Sequence, residues 1–149
     1  MKNILFVLSF LLINTALSNT SALQDWNFEY EFKDNRIYVF NKSGDYVETI
    51  TRGDLLDKSE YIPMMRLCIK RNNMNREFGN KYINKSIEDI KKGIEYGLVS
   101  KKEMNDNNRT GQLIADIKMR NFDASAREFC SILDLAASAY KIKNTDDPY

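Results

Sequence analysis

The feature that most constrains this chain is a single change of hydrophobic period. Residues 26–51 alternate, whereas beyond Gly53 the apolar residues recur every three to four positions. A chain in this order forms a sheet first and packs helices on it afterwards. Phe28, Tyr30 and Phe32 point one way while Asn27, Glu29 and Glu31 point the other, as in a half-buried strand. Asp34-Asn35 supplies a tight turn. Ile37-Tyr38-Val39-Phe40 is apolar on both faces and therefore suits a central strand. Asn41, Lys42, Ser43, Gly44 and Asp45 form a hairpin loop, with Gly44 able to take a positive φ, and residues 46–51 return as a third strand. The expectation is a three-stranded antiparallel meander over residues 27–51.

The helical half reads less evenly. Ser59 suits an N-cap, which places Pro63 early in the helix that follows. Tyr61, Met65 and Cys68 make its apolar stripe, continued by Met74, Phe78 and Tyr82 with an interruption expected at Asn72-Asn73. Ser86 is a second N-cap, ahead of Ile87, Ile90 and Ile94, and Gly97 suits that helix's stop. Ser100 with Glu103 matches a capping box and should open a short helix. Leu113, Ile114, Ile117 and Met119 suggest another. Phe122, Ala126, Phe129, Cys130, Leu133, Ala137 and Tyr140 fall on one face of a long last helix over residues 123–143. The fold class is thus α+β, a small N-terminal meander packed on a C-terminal bundle of four to five helices. Residues 23–143 form one domain and residues 144–149 a flexible tail.

The start of the chain sets the compartment. Lys2 precedes the nearly unbroken apolar run of residues 4–13, and Ala16-Leu17-Ser18 and Thr20-Ser21-Ala22 both suit a signal peptidase. The run is too short to span a bilayer, which takes about 20 residues. Residues 1–22 therefore read as a secretory signal peptide, cleaved after Ser18 or Ala22, and the mature protein as periplasmic or secreted without stable membrane insertion. Cys68 and Cys130 both follow the leader. In an oxidising compartment two cysteines read first as one disulfide, the alternative being two separate buried thiols. Such a bridge would clamp the first and last helices.

Charge excludes one class of partner. Without the leader the chain carries 21 basic and 21 acidic residues, a balance that argues against dedicated nucleic-acid binding. The charges are segregated, however. Residues 24–60 hold nine acids against five bases, and residues 66–85 hold six bases against only Glu77. The basic run reads as a solvated helix face that offsets the acidic segment, or as a patch for an acidic partner or anionic envelope surface.

Chemistry-bearing motifs are few. The chain has no histidine, which removes serine–histidine and cysteine–histidine nucleophile systems and histidine-based zinc hydrolysis. No phosphate-binding glycine motif occurs. Asp106, Asn108, Thr110, Gly111 and Leu113 match positions one, three, five, six and eight of a calcium loop, but the twelfth position, normally a bidentate glutamate, is Ile117. No cofactor, metal or catalytic residue is assigned. A carboxylate pair drawn from Glu29, Glu31, Glu77 and Glu128 is the surviving route to an enzyme, a hydrolase of the cell wall. Asn-x-Ser/Thr triplets begin at Asn19, Asn41, Asn84 and Asn108.

What remains is binding. Asn105, Asp106, Asn107, Asn108, Arg109, Thr110 and Gly111 are polar and aperiodic, and form the candidate binding loop. MMRLCIKR around Cys68 and REFCSILDLAASAY around Cys130 resemble helices of the periplasmic immunity proteins that block amidase effectors of type VI secretion. The resemblance covers about half the chain, lacks the N-terminal meander, and carries over no functional residue. It implies an exported, largely helical protein, a homodimer that plugs a cell-wall hydrolase with an exposed loop. The expected function is an exported binding protein, an inhibitor or immunity factor against an envelope-acting enzyme; the competing readings are the wall hydrolase and a secreted effector or surface-interaction protein.

Overall fold

The computed structural model describes residues 26–144; the expected leader and residues 145–149 of the expected tail lie outside them. Three strands, β1 (Phe28–Lys33), β2 (Arg36–Asn41) and β3 (Tyr46–Ile50), form an antiparallel sheet in that order, so β2 is central as its pattern requires. Asp34 (φ 52°) and Asn35 (φ 56°) make the two-residue turn, and their paired left-handed geometry matches the twist of the strands it joins. Asn41 ties the second loop, its Oδ1 accepting from the backbone N–H groups of Ser43 and Asp45. A register shift at Val39/Phe40 inserts one extra β3 residue. Tyr30, Val39 and Glu48 consequently form one row across the inner face of the sheet.

Four helices follow: α1 (Arg52–Lys70), α2 (Arg76–Glu95), α3 (Lys101–Arg120) and α4 (Ala124–Asn144). The α+β class stands, with the lower of the two expected helix counts. Helix α1 begins seven residues before Ser59. Thr51 is its N-cap, in a reciprocal capping box with Asp54, and Pro63 therefore lies in mid-helix. Asn72 (φ 58°) ends the turn after α1, as the Asn72-Asn73 pair suggested, and Asn75 caps α2. Ser86 caps nothing. It is buried within α2, because the helix already has its cap, Asn75, eleven residues earlier. Gly97 (φ 73°) stops α2: Leu98 N–H bonds to Gly93 C=O and Gly97 N–H to Ile94 C=O. Ser100 and Glu103 form the expected capping box of α3.

Two apolar cores result. One joins α1, α2 and α4 around Met65, Cys68, Met74, Ile83, Cys130 and Leu133, with Ala115 of α3. Cys68 and Cys130 are bonded at its centre, their Cα atoms 5.6 Å apart, and both are fully buried. The other seats the sheet (Ile37, Val39, Ile50) on Leu55, Val99 and Met104.

Candidate functional site

The segment expected as a binding loop is not a loop. Asn105, Asp106, Asn107, Asn108, Arg109, Thr110 and Gly111 lie inside the continuous helix α3. Its polar side chains meet α1 where Pro63 has no N–H to give the Ser59 carbonyl four residues back. Asn108 Nδ2 donates to that orphan carbonyl at 3.0 Å. Asn107 Nδ2 donates to the Leu56 carbonyl and to Ser59 Oγ. Gly111 completes the seam, since a β-carbon there would overlap the Glu60 carbonyl. These polar residues repair and approach the backbone of α1, a use that a helical period in apolar residues does not reveal. The calcium-loop alignment falls on the same helical turns, so its alternate oxygens do not converge. Among the described residues no group of three or more His, Cys, Asp or Glu is placed to hold a metal ion. Of the triplet asparagines, Asn41 and Asn108 have amides engaged in these contacts and Asn84 is exposed; Asn19 lies outside the described residues.

The basic run divides into two parts with opposite fates. Lys85 turns inward, its Nζ 2.6 Å from both Glu48 and Asp89. Lys58 of α1 meets the other Asp89 oxygen at 3.1 Å, and Tyr30 donates to Asp89 at 2.8 Å. Tyr140 of α4 donates to Glu48. Lys85 also lies over the rings of Phe28, Tyr30 and Tyr140, and Lys58 over Tyr82 and Tyr140. Sheet, α1, α2 and α4 thus meet on two cations and two carboxylates, with Asp89 0 % exposed. Burial pushes Glu48 up, but Lys58 and Lys85 outweigh it and hold its carboxyl below the usual range. Burial pushes Lys58 down, and Asp89 with Glu48 reverse this, so its ammonium holds its proton more tightly than usual. Burial, with the carboxylates beside them, raises the Tyr30 and Tyr140 phenols far above their ordinary value. Every charge here is answered by a neighbour, which makes the cluster a structural joint.

The other part faces solvent. Arg66, Lys70, Arg71 and Arg76 are exposed around the end of α1 and the start of α2. Leu67, Lys70, Arg71, Asn73 and Phe122 line an open depression of about 480 Å³ there. The Arg71 guanidinium lies 5.1 Å above the Phe122 ring. Stacking of this kind fixes a planar fork suited to a carboxylate or phosphate. Asn73 N–H bonds to the Cys68 carbonyl, so the wall of the depression is tied to the disulfide-bonded residue. A smaller hollow of about 200 Å³ lies further along α1. Ile62, Ile87 and Met104 line it with Arg66 and Lys91, and it receives Asn105 and Asn108 of the expected loop. The carboxylates weighed for catalysis do not converge on either hollow. Glu29 and Glu31 stand on the outer face of β1, Glu77 pairs with Lys81, and Glu128 is exposed on α4. Comparison with protein-family models, with curated proteins and with solved structures found no match to this chain.

Proposed function

We propose that this chain is an exported binding protein that seats an acidic element of a protein partner in the basic depression at the α1–α2 turn. Its role is that of an inhibitor or immunity factor against an envelope-acting enzyme. The observation that carries the reading is Arg71 held on Phe122 beside exposed Lys70. Fixed charge of one sign in a shallow hollow attracts the opposite sign and accelerates encounter. The disulfide-bonded core behind the depression supports it, because a wall that is already rigid loses little entropy on binding. The apolar leader and two oxidised cysteines support export.

The test is capture of envelope proteins on the immobilised protein, beside a Lys70→Glu, Arg71→Glu variant with unchanged helical signal. The expected result is a specific partner retained by the native protein, eluted by salt and lost from the variant. Retention of the same partner by both would overturn the assignment of the depression. Release of fragments from peptidoglycan by the protein alone would favour the hydrolase reading.

A further inference from the structure

The smaller hollow owes its existence to the way α3 is held. Asn107 and Asn108 donate to α1 carbonyls, and Gly111 lets the α3 and α1 backbones touch. Helices α2 and α3 both pack on α1 and far less on each other. The hollow of about 200 Å³ is the cleft left between them, floored by α1. Its inner wall is apolar. Ile62 and Met104 are each 4 % exposed, and Ile87 and Ile90 of α2 are partly buried. Two cations from different helices line the same hollow, Arg66 of α1 and Lys91 of α2. Both are exposed, and neither forms an ion pair among the described residues. No acidic side chain lines the hollow, and Asn105 of α3 adds an exposed amide.

We infer that this hollow is a binding site for a small aliphatic carboxylate. The chain lies on the apolar wall, and the acid group is held toward Arg66, Lys91 and Asn105. What sets these two cations apart from a solvated helix face is their place, beside apolar surface in a concavity. Covering that surface supplies the affinity, and the charges orient the ligand and select an anion. Both parts of the ligand are needed. An inorganic anion leaves the apolar wall wet, and a neutral alcohol leaves the cations unanswered. Size sets the class further. The hollow is smaller than the roughly 300 Å³ at which drug-sized sites begin. At about 30 Å³ for a water-sized group it takes about six such groups, the body of hexanoate or octanoate. Lys70 and Arg71 do not line this hollow, so the inference stands whether or not the basic depression binds a partner.

A methyl-detected NMR titration of the whole protein with butanoate, hexanoate, octanoate and decanoate tests this, with 1-hexanol as the uncharged control. Hexanoate should move the Ile62, Ile87, Ile90 and Met104 methyls and leave Leu135, exposed on α4, in place. Its dissociation constant should be on the order of 1 mM, a value suited to so small a ligand. Affinity should rise by up to about fourfold per added methylene and level off near octanoate, when the hollow is full. Arg66→Gln and Lys91→Gln, both at exposed positions, should each weaken hexanoate about threefold and leave hexanol unchanged. Hollow methyls that stay still up to about 10 mM hexanoate overturn the proposal. So do charge variants that bind hexanoate like the native protein, or hexanol that binds as tightly as hexanoate. An affinity that keeps climbing through decanoate overturns it as well, because the chain would then lie on open surface outside the hollow.

Discussion

The two cores of this protein solve the same burial problem by different means. Under the helices, Met64, Met65, Met74 and the bonded cysteines fill the space with soft apolar atoms. That core is held by a covalent link across 62 residues of sequence. Under the sheet, aliphatic residues are joined to the helices by the ion pairs of Lys85 and Lys58 with Asp89 and Glu48, beside aromatic rings. A disulfide acts mainly by restricting the unfolded chain, so its removal leaves the native contacts in place. An ionic joint acts in the folded state alone, where each charge depends on all the others. The two halves should therefore fail differently.

The largest difference should come from Asp89→Ala. It strands two ammonium groups in the interior, and a loss of about 3–5 kcal/mol in urea unfolding is expected. A loss under about 1 kcal/mol would mean that water reaches the joint and that the comparison is wrong. Joint replacement of Cys68 and Cys130 by alanine should cost about 2–4 kcal/mol. Trp26, which stacks on Tyr140 beside the joint, should keep its native fluorescence in that variant at neutral pH. A shifted native spectrum would show that the clamp also shapes the sheet side.

Alkali separates the cores by chemistry. The Tyr30 and Tyr140 phenols and the Lys58 ammonium are all raised in the folded state. Their contribution is complete below the unfolded values, near pH 10 to 10.5, and declines as pH rises above them. Each tyrosine should remove about 1.4 kcal/mol per pH unit there. Absorbance at tyrosinate wavelengths should therefore rise for these two rings together with unfolding; ionisation near pH 10 in the folded protein would contradict their burial. Glu48 works in the opposite sense, its contribution present above the ordinary carboxylate value and lost as pH falls through its lowered one.

Smaller effects sharpen the α1–α3 seam. Asn108→Ala should cost about 1–2 kcal/mol by orphaning the Ser59 carbonyl. The cost should shrink when Pro63→Ala supplies the missing N–H, and an unchanged cost in that background would refute the repair. Smallest of all, Ser86 is buried and its hydroxyl lacks a hydrogen-bond partner among the described residues. Ser86→Ala should be neutral or stabilising by about 0.5 kcal/mol.

How much of this could be read beforehand follows from how far apart the partners lie. Asp34-Asn35, Gly97 and Ser100 with Glu103 act within a few residues, and each appears where its neighbours place it. Cys68 and Cys130 are far apart, yet a single pairing was available to them. The site was harder to see. Asn107, Asn108 and Gly111 look like loop because their use is to serve α1, and the signal that could have shown it is Pro63, whose missing N–H implies a donor from elsewhere. Lys81 and Lys85 look like the rest of their basic run until Glu77, Glu48 and Asp89 are placed around them. Ser59 and Ser86 look like caps because a serine's preference for a helix start is weaker than the packing that buries it.

The chain alone determined the order of sheet and helices, the central strand, two helix ends and the cysteine pair. Each of these depends on periodicity, on backbone torsions or on a count. Tertiary structure decided which lysines became a joint and which a surface, and turned a polar stretch into a helix. Those outcomes depend on solvent access and on partners 37 to 51 residues away, quantities that exist only once the elements have packed.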